Sequence, residues 1–213
     1  MKKFWFFDLD GTLADTDCDI RESWKAAMKD LGLFCEDFDE KFVAGPSIDE
    51  MLRRLFPAEY TDELAIKMRE RFAFHYDSDG FPNTAEYPGI IDEIKSLKKA
   101  GAIVAIVTNK RYAGATAMAK HFSWDGVFDG IFAGDMFSGR KMRKPELLAY
   151  VMEKFGAQKS DCVLVGDTAN DFEAAAANEI FSVGVKWGYG TGDELSAANV
   201  TVENACELRA AVP

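Results

Sequence analysis

The hydrophobic positions of the chain fall into two patterns that alternate along most of its length. Five short apolar runs begin at residues 3, 102, 130, 162 and 181, with the sequences KFWFF, AIVAIVT, GIFAG, CVLVGD and FSVGV. Apolar runs without polar alternation are typical of strands that are buried on both faces of a parallel sheet. The pattern therefore predicts five buried strands.

The segments between these runs show the spacing of amphipathic helices. The sequence GIIDEIKSLKKAG places Ile90, Ile94 and Leu97 on one stripe, and Gly101 provides a C-terminal stop. The sequence KPELLAYVMEKFG has Pro145 where the first helical turn accepts proline, followed by a second apolar stripe. Strands that alternate with helices predict an α/β fold with a doubly wound parallel sheet.

One long segment interrupts this alternation, because no strand-like run occurs between about Thr16 and Tyr87. Its apolar residues recur at helical spacing instead, and Ser47 with Glu50 forms a capping-box pattern before a further helix. Roughly 70 residues are too many for a single crossover connection. We therefore expect a core domain of residues 1–15 and 88–213, and a small helical cap domain of residues 16–87.

Composition and charge narrow the classes of partner. The chain has 213 residues, 48% of them hydrophobic, and a net charge of -11, which repels nucleic-acid phosphates at long range. Its apolar runs are much shorter than the roughly 20 residues of a membrane span. We expect no nucleic-acid partner, no membrane partner, a cytoplasmic location, and a monomer or weak homodimer. The four scattered cysteines are expected to be reduced thiols.

Polar residues that can take part in catalysis or ligand binding follow several of the predicted strands. In an open α/β sheet, ligands bind beyond the carboxyl ends of the strands, so these residues are expected to meet at one edge. The candidates are Asp8 and Asp10 after the first strand, Thr108, Asn109 and Lys110 after the second, Lys144 at the helix after the third, and Asp167 and Asp171 after the fourth.

These residue types together indicate a metal-dependent phosphoryl-transfer site. Clustered carboxylates repel one another unless a hard cation lies among them, and oxygen ligands of this kind suit Mg²⁺. A bound Mg²⁺ typically shares its coordination with a substrate phosphate. A hydroxyl, loop amides and a lysine ammonium are donors to phosphate oxygens.

Four motifs resemble those of the haloacid dehalogenase superfamily, in order and spacing, over essentially the whole chain. They are DLDGTLADTD from Asp8, VTNK from Val107, RKP from Arg143 and VGDTANDFEAA from Val165. The ending GVKWGYGTGDEL, together with the Thr-Asn-Lys of the second motif, resembles the phosphoglycolate phosphatase-like branch.

The chain departs from the pattern of that branch at three places. Leu147 stands where a second proline is usual, and the glycine that is usual near Asn178 is missing. Lys141 competes with Lys144 for the third-motif role, for which the neighbouring Pro145 favours Lys144.

The resemblance implies a HAD-like Rossmannoid core with a helical cap, and it implies roles for the site residues. Asp8 is the expected nucleophile that takes the phosphoryl group, and Asp10 the expected general acid and base. Mg²⁺ is expected on the Asp8 and Asp167 side chains and the Asp10 carbonyl, with Asp171 contributing directly or through water. Phosphate is expected to be bound by Thr108, Asn109 and Lys144.

The resulting expectation is a Mg²⁺-dependent phosphatase that acts on a small phosphate ester through an aspartyl-phosphate, with phosphoglycolate as the leading substrate. Pyrophosphate, nucleoside monophosphates and sugar phosphates stay open as substrates. A phosphomutase on the same fold and a non-catalytic binding protein are the alternatives. Arg53 and Arg54 are candidate contacts to a substrate carboxylate or second phosphate, and otherwise form a solvated helix face.

Overall fold

The computed structural model describes residues 2–78, 81–137 and 141–213. The chain divides into two compact units, one formed by Met1–Asp15 with Ala85–Pro213 and the other by Thr16–Thr84. The first unit contains both sheets, and the second is helical. Among the described helices, none combines the length and apolar character needed to cross a bilayer.

The strands, in chain order, are β1 Phe4–Phe7, β2 Ala14–Asp15, β3 Ala85–Glu86, β4 Ile103–Thr108, β5 Gly130–Ala133, β6 Cys162–Gly166, β7 Phe181–Val185 and β8 Val200–Val202. Six of them form a parallel sheet in the order β5-β4-β1-β6-β7-β8. The remaining two, β2 and β3, pair as a small antiparallel ribbon.

The helices, in chain order, are α1 Asp17–Asp30, α2 Phe38–Lys41, α3 Ile48–Leu55, α4 Asp62–Ser78, α5 Ile90–Lys99, α6 Tyr112–His121, α7 Lys144–Phe155, α8 Ala169–Ala177, α9 Gly192–Leu195 and α10 Leu208–Ala211. Short 3₁₀ turns span Lys159–Asp161 and Ala205–Glu207. The first four helices belong to the second unit.

The central position of β1 explains why the polar residues converge. Phe7 pairs with Ile106 of β4 on one side and with Val165 of β6 on the other. All three strands are parallel, so their carboxyl ends open at the same edge of the sheet. Chain order reverses at β1, and such a switch point is where doubly wound sheets bind ligands.

The predicted α/β fold class is confirmed, and all five predicted strands are present. The expectation of no strand between Thr16 and Tyr87 is wrong, because β3 lies at Ala85–Glu86. Neither β2 nor β3 exceeds two residues, and β8 has three. Such short strands carry no periodic signal and form through pairing with a neighbour.

The helical unit has an aromatic interior. The ring of Trp24 lies 5.6 Å from that of Phe42 and 6.2 Å from that of Phe72, measured between centroids. The expected capping box is present at the start of α3, where Ser47 N donates to Glu50 Oε2 at 2.8 Å and Glu50 N donates to Ser47 Oγ at 3.3 Å.

A buried carboxylate joins the two ends of this unit. Asp19, in the first turn of α1, accepts hydrogen bonds from Asn83 Nδ2 at 2.8 Å and from Thr84 Oγ1 at 2.6 Å. The backbone N–H of Asn83 also donates to the same carboxylate. Because residue 19 follows the entry of the chain into the unit and residues 83–84 precede its exit, Asp19 ties the entering and leaving segments together.

We predict that Asp19→Ala lowers the free energy of unfolding by about 2–4 kcal/mol, because the buried Thr84 hydroxyl and the two N–H donors of Asn83 lose their shared acceptor. Urea unfolding followed by tryptophan fluorescence and circular dichroism measures the change. Glu22→Ala is the matched control, since Glu22 lies exposed on the same helix and pairs with Lys25 at 3.4 Å. Equal midpoints for the two variants would show that the Asp19 contacts do not stabilise the unit.

Candidate active site

The segment after β1 turns sharply, and Gly11 makes the turn possible. Leu13 N donates to Leu9 O at 2.9 Å, and Gly11 N donates to Ala14 O at 2.9 Å. Gly11 has φ +79°, a left-handed conformation that favours glycine. A Cβ at this position would also overlap the Asp167 carboxylate. The turn therefore brings the segment after Asp8 directly against the segment after β6.

An ammonium group lies between two buried carboxylates at this edge. Lys144, the first residue of α7, places Nζ 2.8 Å from Asp8 Oδ1 and 2.5 Å from Asp171 Oδ1, and its side chain is 3% exposed. Lys141 is exposed. Of the two lysines considered for this position, the structure therefore brings Lys144 into contact with Asp8.

Asp171 has its oxygens committed to protein donors. Its Oδ2 accepts from Asp167 N at 3.2 Å, Thr168 N at 3.1 Å and Thr168 Oγ1 at 3.1 Å, which caps the start of α8. Its Oδ1 faces Lys144. Oδ1 is therefore the oxygen through which Asp171 could contribute to a metal site, directly or through water.

Asp167 is fully buried, and each of its oxygens receives a hydrogen bond. Thr12 Oγ1 donates to Oδ1 at 3.0 Å, and Tyr189 N donates to Oδ2 at 2.8 Å. Trp187 Nε1 in turn donates to Thr12 O at 3.1 Å. The carboxylate is therefore held in one orientation by the turn after β1 and by the loop after β7.

The supporting residues Thr12, Trp187 and Tyr189 were not among the predicted site residues. Thr12 could have been identified from the sequence, since it lies inside the first motif. A second signal was the glycine at 188, where a Cβ would overlap both the Gly11 carbonyl and the Asp167 side chain. Close spacing of glycines after a strand can thus mark a loop that packs against a site.

The carboxylates fit a divalent cation. One oxygen from each of Asp8, Asp167 and Asp171 lies within 4.8 Å of the others, and all three residues are buried. Lys144 supplies one positive charge against these three carboxylates. An all-oxygen set with excess negative charge suits a hard cation such as Mg²⁺.

Burial shifts the pKa values of this cluster. Desolvation, with a contribution from Asp171, raises the pKa of Asp8 to about 6, although Lys144 acts in the opposite direction. Burial and the neighbouring Asp171 and Asp8 raise the pKa of Asp167 well above its usual range. Burial would lower the pKa of Lys144, but attraction to Asp171 and Asp8 outweighs it and the pKa is raised. The lysine is therefore charged, and a cation would favour ionised carboxylates.

The predicted phosphate donors lie at the end of β4, beside β1. Thr108 is buried, and its Oγ1 accepts from Lys110 N at 3.1 Å, whereas Asn109 is exposed. Lys110 was expected at the same strand end but without an assigned role, and its Nζ lies 2.8 Å from Asp10 Oδ1. The first and second motifs are thus joined by an ion pair.

Arg53 and Arg54 lie in the other unit, on α3, and both are exposed. The guanidinium of Arg53 lies 3.7 Å from the centroid of the Tyr60 ring, which orients it by a cation–π contact. These two residues therefore belong to a separate part of the fold from the carboxylate cluster.

Comparison with known proteins relates most of the chain to one family. The family described as haloacid dehalogenase-like hydrolase matches residues 5–185. A phosphoglycolate phosphatase of Agrobacterium fabrum (strain C58 / ATCC 33970) is 33% identical over 187 residues, which cover 86% of this chain and 80% of that protein. The tyrosine-protein kinase PtkA of Mycobacterium tuberculosis (strain ATCC 25618 / H37Rv) is 30% identical, over 92% of this chain and 66% of the kinase.

A solved structure agrees over nearly the full length. The crystal structure of a predicted phosphatase from Clostridium acetobutylicum is 28% identical and superposes with a TM-score of 0.88, covering 99% of this chain and 97% of the other. The family and the fold are therefore shared along both units.

We predict that Mg²⁺ stabilises EDTA-treated protein strongly at pH 7.5 and weakly at pH 5. The pKa of Asp8 is raised from 3.8 to about 6 on folding, so its contribution to stability is present below pH 3.8 and is lost as the pH rises through 6. A cation offsets the loss only where the carboxylates are ionised. At a Mg²⁺ concentration of about 100 times Kd, we expect the melting temperature to rise by about 5–10 °C at pH 7.5.

Differential scanning fluorimetry at both pH values measures this effect. Asp167→Asn, which removes a charged ligand, should abolish the shift, whereas Asp92→Asn on the exposed face of α5 should retain it. An equal shift at pH 5 and pH 7.5, or a full shift in Asp167→Asn, would contradict a cation site among these carboxylates.

Proposed function

The chain belongs to the haloacid dehalogenase-like hydrolases and is a phosphatase of that family, and we propose that it hydrolyses a small phosphate monoester through an aspartyl-phosphate on Asp8. The observation that carries the proposal is the buried ion pair of Asp8 with Lys144, beside Asp167 and Asp171. It supplies a carboxylate nucleophile, a fixed positive charge and a cation site at one strand edge.

In the proposed first step, an oxygen of Asp8 attacks phosphorus and the bond from phosphorus to the ester oxygen breaks. Asp10 gives its proton to the departing oxygen, which leaves as an alcohol. In the second step, Asp10 takes a proton from water, and the water oxygen attacks phosphorus. The Asp8 carboxylate is released with inorganic phosphate, and Asp10 is again protonated. Each carboxylate thus has a separate role.

We propose that the Asp8 and Asp167 side chains and the Asp10 backbone carbonyl hold Mg²⁺, with Asp171 contributing directly or through water. When bound, Mg²⁺ supplies positive charge that neutralises the phosphoryl oxygens and favours the ionised form of Asp8. The Thr12 and Tyr189 hydrogen bonds to Asp167 support this assignment, because they fix the carboxylate before a cation arrives.

Thr108, Asn109 and Lys144 are the proposed phosphate-binding residues. The oxygen of the Thr108 hydroxyl accepts from Lys110 N, so its hydrogen is directed away from that bond and is available for a phosphate oxygen. Lys144 lies in the same region, because its ammonium contacts the carboxylate of Asp8, the proposed nucleophile. These donors would stabilise the charge of the transferring group.

We propose phosphoglycolate as the leading substrate, because the Agrobacterium fabrum relative is named a phosphoglycolate phosphatase. Such a substrate carries a carboxylate beyond the phosphate, so its recognition requires a second cationic group. We propose that the helical unit acts as a cap that supplies this recognition, through Arg53 or Arg54. The Tyr60 ring holds the Arg53 guanidinium in place and leaves its N–H edge for a carboxylate.

We predict that Asp8→Asn lowers kcat by about a thousandfold or more, because an amide is a poor nucleophile and catalytic groups of this kind act as a unit. Phosphate release from a panel of phosphomonoesters, with Mg²⁺ present, measures the loss. The melting curve confirms that the variant is folded, and Asp92→Asn serves as the control for the same chemical change. Substantial turnover by pure, folded Asp8→Asn protein would exclude the nucleophile assignment.

We predict that Arg53→Ala or Arg54→Ala lowers kcat/KM for phosphoglycolate about tenfold relative to ethyl phosphate, which lacks the carboxylate. Arg71→Ala, an exposed arginine on α4 of the same unit, is the matched control and should leave the ratio unchanged. Melting temperatures should stay close to that of the parent protein. If all three variants keep the same substrate ratio, the cap arginines do not select the substrate.

A further inference from the structure

Two different lysines pair with Asp8 and Asp10 of the first motif. Lys144 Nζ lies 2.8 Å from Asp8, and Lys110 Nζ lies 2.8 Å from Asp10. The second pair is also largely buried, since the side chains of Lys110 and Asp10 are 8% and 16% exposed. A pair this enclosed is held more firmly than an exposed ion pair, because less water competes for it.

The topology brings these two residues together. Asp10 follows β1 and Lys110 follows β4, and the two strands are parallel neighbours in direct register. The two segments therefore leave the sheet side by side. The contact does not depend on the helical unit, since both residues belong to the first unit.

The backbone N–H, the aliphatic stem and the ammonium of Lys110 each lie against a neighbouring group. Its backbone N–H donates to Thr108 Oγ1 at 3.1 Å. Its stem runs across Gly114 of α6, where a Cβ would lie 3.5 Å from Cε and 3.8 Å from Cγ. The stem therefore lies close against position 114, where a side chain larger than a methyl group would meet it, and the ammonium lies at Asp10.

We propose that Lys110 is a positioning residue that holds the Asp10 carboxyl group where it meets the leaving-group oxygen. This inference rests on the proposed function, in which Asp10 protonates that oxygen. Asp10 lies on the turn after β1, beyond the strand pairing that fixes Asp8, so a contact from outside the turn is needed to define its orientation. Lys110 supplies that contact, and Lys144 is thereby left to Asp8.

The leaving group provides the test. An alkoxide leaving group needs a proton, whereas p-nitrophenolate leaves readily without one. We expect Lys110→Met, which keeps the stem and removes the charge, to lower kcat for ethyl phosphate about tenfold or more and kcat for p-nitrophenyl phosphate less than about threefold, since general acid catalysis contributes 10²–10⁴-fold. Lys98→Met is the control, because Lys98 pairs with Asp129 at 2.9 Å outside the site.

Two further variants separate positioning from folding. Gly114→Leu keeps the lysine but places a large side chain against its stem, so it should show the same dependence on the leaving group. In an Asp10→Asn background, Lys110→Met should cause no further loss with ethyl phosphate, because the group that it positions is absent.

The results of these experiments distinguish a positioning role of Lys110 from the alternatives. Equal losses for both substrates, or additive losses in the double variant, would overturn the positioning role. A loss with phosphoglycolate that is absent with ethyl phosphate would identify Lys110 as a carboxylate-binding residue and would also overturn it. Activity of the parent protein on both substrates, and its loss in Asp8→Asn, tests the proposed function independently of Lys110.

Discussion

The structure depends most on the ammonium of Lys144, which is buried between Asp8 and Asp171. Removing charged groups from water is costly unless they are paired, and this lysine pairs with one carboxylate after β1 and one in the first turn of α8. The pairing leaves a net negative charge, because Lys144 is shared by Asp8 and Asp171, and Asp167 lies in the same cluster without an ion pair to a lysine or arginine among the residues that the structure describes. The fold therefore holds a carboxylate cluster whose excess negative charge a bound cation would offset.

The rest of the first unit keeps this cluster from relaxing. The Gly11 turn and the loop at residues 187–189 press against Asp167 from two directions, and their hydrogen bonds occupy both carboxylate oxygens. The capping box of α8 fixes Asp171 and so fixes Lys144. Such rigid support is what allows charged groups to remain close without collapsing into alternative pairs.

The sequence predicted the fold class, and it predicted that Asp8, Asp167, Asp171 and Lys144 lie at one edge of the sheet. Both were predictable because buried strands and the polar residues that follow them leave strong local patterns. It did not predict β2, β3 or β8, whose pairing is decided by neighbours rather than by their own residues. It also gave no role to Lys110, Thr12 or Tyr189. The contacts of Thr12 and Lys110 join residues that are 155 and 100 positions apart, and the hydrogen bond from Tyr189 N to Asp167 spans 22 positions. A local pattern cannot show which of several polar side chains will meet across such distances.

The most direct test of the account is the stereochemical course of hydrolysis at phosphorus. A phosphate monoester made chiral with oxygen isotopes and sulfur would be hydrolysed in isotopically labelled water, and the configuration of the released thiophosphate determined. Attack by Asp8 followed by attack by water makes two inversions, so the account predicts overall retention. Overall inversion would mean that water attacks the substrate directly, and would contradict an aspartyl-phosphate on Asp8.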